Sequence, residues 1–380
     1  MVIPHESGRI RDMLAQFYYH CLLALLALFL LNLIRRDGYT SIRRFLLLGA
    51  VGSFAALFFA LVPSRLLEGQ AEQNLAVHAL AWYGSFFMTA SAILMYRQKK
   101  NNGHSRRCLP SLLLIIACVY FGVAVDTLLI EPTALVIREL TIATPKISEP
   151  MTIVFCADMQ TDQVGDYERR TLLKIKEQNA DLILFGGDYI QGKNDEANRK
   201  ILDDWNKLFQ EVDLQVPLGI YAIQGNKEIG HPWRDMFAGT AIIPRGTTGT
   251  LQIGEIRTTF LSVRSSWAKR KIEEKAVDGK FRIMLGHMPV FSMADQEADL
   301  LLAGHSHGGQ VQIPFFGPIH TNSGDLPRKW ASGVTTLPNG ATLIVTNGSG
   351  LARDNVPRVR FFCRPDFWVI RLVPQLLRCP

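Results

Sequence analysis

Paired cysteines are missing from this 380-residue sequence. Its six cysteines, Cys21, Cys108, Cys118, Cys156, Cys363 and Cys379, form no CxxC pair and no zinc-type spacing, so they read as scattered small hydrophobes rather than as a redox or thiolate-metal motif. Also absent are a basic patch with interleaved aromatics, which argues against a nucleic-acid partner, and any internal repeat or low-complexity segment. Nucleophilic serine or cysteine arrangements are wanting as well. Charge is scarce in the first third, where the apolar residues crowd together.

What that first third contains is four apolar stretches, 17–34, 45–62, 77–96 and 109–130. Each is about as long as the 17 to 25 residues a helix needs to cross a hydrocarbon core. Buried helices of a soluble bundle would be amphipathic, whereas these carry almost no charge on any face. The expectation is a four-helix transmembrane anchor over residues 1–132, in contact with the lipid bilayer. Arg35 and Arg36 follow the first stretch where a signal peptide would have its small-residue cleavage site, so the anchor is expected to stay attached.

Up to Pro132 there are 12 Lys and Arg against 7 Asp and Glu; the rest of the chain has 29 against 27. Arg35, Arg36, Arg43 and Arg44 lie between the first and second stretches, and Arg97, Lys99, Lys100, Arg106 and Arg107 between the third and fourth. The positive-inside rule makes both loops cytoplasmic, which puts the termini and everything after Ile130 on the other side. His20, His78 and Asp126 are too few ionisable groups to build a transport pathway.

From 133 to 380 the pattern changes. A strand is expected at Leu135–Ile142, then Thr152–Cys156, a helix at about Asp166–Gln178, a strand at Leu182–Phe185, a helix through Trp205 and a strand at Leu218–Ile223. That alternation argues for an α/β domain. Beyond Ile242 short strands follow at Leu251–Ile253, Thr258–Val263, Phe281–Leu285, Leu300–Leu302, Gln310–Ile313, Thr342–Thr346 and Phe367–Leu372, which suggests mixed β-sheets packed together.

Five polar motifs sit just after expected strands: Ala157-Asp158-Met159-Gln160, Gly186-Gly187-Asp188, Gly225-Asn226-Lys227-Glu228, Gly286-His287, and Gly304-His305-Ser306-His307-Gly308-Gly309. Strand carboxyl ends are where ligand sites collect in α/β sheets, and the glycines allow close approach. Together they offer Asp158, Gln160, Asp188, Asn226, His287, His305 and His307, a hard-oxygen and imidazole set suited to Mn, Fe, Zn or Mg. Two such cations about 3.5 to 4 Å apart bind phosphate oxygens and generate hydroxide to attack phosphorus.

On these motifs the chain resembles the calcineurin-like metallophosphoesterases, whose pattern is D-x-H, G-D, G-N-H-[DE], G-H and G-H-x-H. It is most similar to the membrane-associated bacterial branch, which has GHTHGGQ where this sequence runs from Gly304 to Gln310. Asn347-Gly348-Ser349-Gly350 and Pro357-Arg358-Val359-Arg360-Phe361 resemble that branch's closing strand and loop. The resemblance covers 135–372. It implies two mixed β-sheets packed as a sandwich flanked by helices, and a dinuclear centre in which Asp158, Gln160, Asp188 and His307 hold one metal. Asp188, Asn226, His287 and His305 would hold the other, with the Asp188 carboxylate bridging. Taken with the four apolar stretches and the loop charges, the likeness to a bacterial branch makes the expected location the bacterial inner membrane, multi-pass, with the catalytic domain on the extracytoplasmic side.

Two positions depart from that pattern. Gln160 stands where D-x-H has histidine, exchanging imidazole for an amide oxygen, which favours Mn or Mg over Zn. Lys227 stands where G-N-H-[DE] has the histidine that contacts phosphate and protonates the leaving group. Lysine still neutralises transition-state charge, so Lys227 and Asp188 are the expected catalytic residues, and His231 is the nearest substitute imidazole. The expected activity is hydrolysis of a phosphomonoester, phosphodiester or pyrophosphate, with a phosphorylated small molecule or lipid as substrate. The alternative is a degenerate relative that binds a phosphorylated ligand or membrane partner without turning it over.

Overall fold

The computed structural model describes residues 108–273, 279–350 and 358–375, preceded by six helical residues at Ser85, Met88, Thr89, Ala92, Ile93 and Tyr96. Of the four expected spans, 17–34 and 45–62 lie outside the described residues, and 77–96 is represented by those six alone. The fourth is helical. Helix α1, Cys108–Val125, passes into a π turn at Asp126–Ile130 and a 3-10 turn at Glu131–Thr133. Ser111–Thr133, with 23 residues at mean hydropathy 2.5, is the one helix among the described residues long and apolar enough to cross a membrane. Leu112, Ile115, Val119 and Phe121 expose half or more of their surface along it.

Two compact units divide between Ile130 and Glu131. In the second, one six-stranded sheet has the order β1-β14-β2-β3-β4-β5. Its strands are β1 Val136–Thr144, β2 Met151–Cys156, β3 Leu182–Phe185, β4 Ile220–Ile223, β5 Ile242–Arg245 and β14 Asp366–Pro374. β2 through β5 are parallel, β14 runs antiparallel to β2, and β1 pairs in parallel with β14 along all nine residues. The other sheet has the order β12-β13-β9-β8-β7-β6. It comprises β6 Gly249–Ile253, β7 Ile256–Phe260, β8 Phe281–Leu285, β9 Leu300–Ala303, β12 Gly333–Thr336 and β13 Thr342–Val345.

Period-two alternation sorts the side chains between layers. Phe155, Leu182, Leu184, Phe281, Ile283, Leu285, Leu300, Leu302 and Ile370 all point into one buried cluster between the sheets. The intervening Val154, Cys156, Ile183, Phe185 and Val369 point the other way, against helices. Those helices are α2, Asp166–Lys176, and α3, Asp195–Val212. α3 presents Ile201, Leu202, Trp205, Leu208, Phe209 and Val212 as a buried stripe at helical spacing. Asn194 caps its start by accepting from the Ala197 amide at 2.8 Å. On the far side of the second sheet, Met284, Leu301, Ala303, Leu343 and Val345 pack with Phe291 and Leu261.

The strand expected at Thr258–Val263 ends at Phe260, because the Ser262 side chain accepts from the Ser265 amide and caps a one-turn helix, α4, Val263–Ser266. The expected strand at Gln310–Ile313 is cut to two residues. β10, Gln312–Ile313, pairs antiparallel with β11, Gly317–Pro318, as a short hairpin apart from both sheets.

Candidate metal centre

Five strands deliver the site. Asp158 and Gln160 follow β2, Asp188 follows β3, and Asn226 and Lys227 follow β4; His287 follows β8, and His305 and His307 follow β9. All five are parallel within their sheets, so their carboxyl ends open on one rim, and the backbone turns sharply there to aim each side chain inward. Asp158, Asp188, His305 and His307 sit in the left-handed region, with φ of 51°, 55°, 67° and 48°. Non-glycine residues adopt it rarely, and clusters of such residues mark functional sites. Glycine is required at Gly225, where a Cβ would collide with Asp188 Oδ1, and at Gly304, where one would lie 2.6 Å from Asp158 Oδ2.

Two overlapping groups result, Asp188 with His287 and His305, and Asp158 with Asp188 and His307. Within each, the ligating atoms lie within 4.8 Å of one another, and Asp188 is common to both. His287 Nδ1 faces the Gly186 carbonyl at 2.9 Å and His305 Nε2 faces the Asn322 carbonyl at 3.1 Å, so those nitrogens carry the ring protons. The opposite nitrogens, His287 Nε2 and His305 Nδ1, each lie 3.0 Å from Asn226 Oδ1, and His287 Nε2 is also 3.4 Å from Asp188 Oδ1. Lone pairs converging this way call for a positive charge among them.

Three further buried atoms, Asp158 Oδ1, Gln160 Oε1 and His307 Nδ1, have no hydrogen-bond partner. Such atoms are expensive to bury, and a bound cation would satisfy them. The donor set therefore fits divalent metals. Gln160 turns its amide nitrogen to Asp188 Oδ2 at 2.6 Å, so ligation by its oxygen requires a half-turn of the amide, which a cation between the two groups would favour.

The electrostatics agree. Burial, reinforced by Asp188, pushes Asp158 up to about 8. Burial also opposes ionisation of Asp188, but the charge and hydrogen bond of His287, with the Lys227 amide and His305, hold it below the ordinary carboxylate range. For His287, burial is outweighed by Asp188 and Asp158, and the ring is pushed up to about 9. A proton on His287 thus supplies the positive charge that the metal-free cluster needs. Burial and then His287 push His305 down to about 4, and burial and then Arg360 drive His307 well below its usual range. Both remain neutral and ready to ligate.

Lys227 donates its backbone amide to Asp188 Oδ1 at 2.9 Å, and its charge contributes to the lowering of His305. His231 turns away: its Nε2 lies 3.1 Å from the Asn198 amide on α3. Beside the cluster, a cavity of about 450 Å³ is lined by Gln224, Ile229, Ser262, Val263, Arg264 and Trp267, and the Trp267 ring centroid is 6.5 Å from that of His305.

Two supporting residues had been assigned no role from the sequence. Glu228 is fully buried and accepts from the amides of Asp188, Tyr189, Ile190 and Gly225 at 2.7 to 3.2 Å, which ties the loops after β3 and β4 together. Burial and then Asp188 push it up to about 7. Arg360, also fully buried, donates to the carbonyls of Asn347, Gly348, Gly350 and Cys363, and so fixes the loop that backs His307. The acidic fourth position of the G-N-K-E motif was the available signal for the first. The Arg358-Val359-Arg360 run was the only one for the second.

Comparison with known proteins gives a consistent result. The model of the calcineurin-like phosphoesterases matches residues 151–309. The uncharacterized metallophosphoesterase YkuE of Bacillus subtilis is 28% identical over 217 residues, covering 54% of this chain and 72% of that protein. The phosphodiesterase YaeI of Escherichia coli is 25% identical over 248 residues, covering 59% and 83% respectively. An uncharacterized metallophosphoesterase of Helicobacter pylori is 23% identical over 253 residues, covering 63% and 64%.

Proposed function

We propose that this chain, whose residues 151–309 match the calcineurin-like phosphoesterase model, is a hydrolase of phosphoester bonds that works through a pair of divalent cations held by the seven residues on the strand-end rim. Asp158, Gln160, Asp188 and His307 would hold one, and Asp188, Asn226, His287 and His305 would hold the other, Asp188 being common to both sets. The observation that carries this reading is the convergence of His287 Nε2, His305 Nδ1, Asn226 Oδ1 and Asp188 Oδ1 on one point, where only the His287 proton and the Lys227 amide offset the gathered lone pairs. Bound there, divalent ions neutralise phosphate oxygens and activate water at neutral pH. The amide oxygens of Gln160 and Asn226 favour Mn or Mg.

The chain's own residues do the rest. Lys227 brings a cation to the charge that develops on phosphorus oxygens, and its ammonium can protonate the departing oxygen. Glu228 keeps Asp188 and Asn226 in register. The cavity beside Trp267 takes the part of the substrate that does not react. A phosphodiester is favoured by the likeness to YaeI. The hydropathy and exposure of Ser111–Thr133 support a membrane anchor, and with the arginine-rich loops they support a multi-pass protein whose catalytic domain faces away from the cytoplasm. A lipid-linked phosphoester fits that placement.

The test is elemental analysis of the purified full chain together with turnover of an aryl phosphodiester and an aryl phosphomonoester in Mn. Metal-dependent hydrolysis that disappears along with the metal in Asp188→Asn is the expected outcome. Stoichiometric metal without hydrolysis would identify a binding module. A chain that takes up no Mn, Fe or Zn overturns the dimetal reading.

A further inference from the structure

We propose that the β10–β11 hairpin is a membrane-contacting element that seats an aromatic tip in the bilayer interface and holds the metal centre at the lipid surface. This rests on the anchor reading of Ser111–Thr133. The hairpin exposes Ile313, Phe315, Phe316 and Ile319, with Phe362 beside its root, and Phe315 at the tip is fully exposed. Water-facing apolar clusters of this kind mark an interaction site.

The tip is also held out rather than tucked in. Phe361 pairs with Val311, the Gln312 amide donates to the Phe361 carbonyl at 2.9 Å, and Gln312 Nε2 donates to the Gly308 carbonyl at 3.0 Å. A hairpin that simply failed to pack would have no reason to be pinned at its base.

Charge and connectivity point to a lipid surface. Arg328 lies over the Phe316 ring at 4.6 Å, and Arg328, Lys329 and Arg364 are exposed. Asp325 is the single acid between Gly304 and Trp330. Aromatics mixed with basic residues suit the headgroup level of a bilayer that carries anionic lipids. Glu131, in the last turn of the apolar stretch, is buried and accepts from the amides of Phe362 and Cys363. The first residue of the second unit is therefore bonded to the segment whose Phe361 bridges Val311 at the hairpin root. Since Gly308 adjoins His307, a phosphoester on a lipid headgroup is presented next to the candidate ligands.

The test uses the full chain in nanodiscs containing anionic lipid, with an encoded fluorescent amino acid replacing Phe315, Val119 or Lys200 in turn. Lipid-borne nitroxide should quench positions 315 and 119 several-fold more than position 200, and should place 315 roughly 5–10 Å below the headgroups. If 119 is quenched from the lipid while 315 responds only to an aqueous quencher, the hairpin inference fails and the anchor reading stands. If neither is quenched from the lipid, both fail. Self-quenching at 315 that rises with protein-to-lipid ratio, without quenching from the lipid, would show that a second copy covers the hairpin and would overturn the inference.

Discussion

Lys227 is the residue whose role separates a retuned enzyme from a retired one. Its backbone is fixed by the bond to Asp188, so the side chain can change without moving the cluster. Lys227→Ala should lower kcat and kcat/KM together by about 10² to 10³, with metal content unchanged. Lys227→His should keep or raise turnover of a substrate with a poor leaving group. Equal activity in wild type and Lys227→Ala, measured by steady-state kinetics, would remove Lys227 from the chemistry. A second expectation concerns protons. Asp158, pushed up to about 8, and His287, pushed up to about 9, must both deprotonate to ligate. Metal binding therefore releases protons, and affinity should rise between pH 6 and 8 by about tenfold per unit for each proton released. Calorimetry in buffers of different ionisation enthalpy counts those protons, and a pH-independent affinity would contradict the assignment. Of the seven candidate ligands, Asp188, Asn226, His287, His305 and His307 stood out in the sequence because each adjoins a glycine just after an apolar run, whereas Asp158 and Gln160 follow an apolar run without one. Glu228 and Arg360 did not stand out, since both act on backbone groups that leave no spacing in the sequence.

At the scale of elements, β1 precedes the family match to 151–309, just as β10 to β14 follow it. β1 covers the edge of β14, whose Phe367, Val369 and Ile370 are buried, and Arg138 pairs with the buried Asp366 at 2.5 Å. A fragment starting at Glu131 should be soluble and melt cooperatively, while one starting at Ser148 should aggregate through its uncovered edge. Melting temperatures within about 2 °C of each other would show that β1 is dispensable. Strand boundaries at Leu182–Phe185 and Phe281–Leu285 were read correctly because both are short, mainly apolar segments closed by glycine, the second interrupted only by Arg282. The mixed sheets were likewise legible. β5, Ile242–Arg245, carries Pro244 at an edge, and β12, Gly333–Thr336, is a half-exposed edge strand. Both fall below any periodic signal, because pairing partners rather than local pattern make them strands.

For the whole molecule, the arginine-rich loops and the apolar stretches make one claim that can be checked without knowing the substrate. Alkaline phosphatase fused after Pro380 should be active and a cytoplasm-dependent fluorescent protein should stay dark; the reverse would mean that the charge bias is overridden. The order of strands in the first sheet bears on how such a chain is made. β14 lies between β1 and β2, and the ion pair from Arg138 to Asp366 spans 228 residues. At roughly 5–20 residues per second, translation takes about 11 to 46 seconds to supply the partner. Throughout that interval β1 has no sheet to join, and β2 carries an open edge. A nascent chain in that state remains threadable, and the sheet closes only after its final strand has emerged.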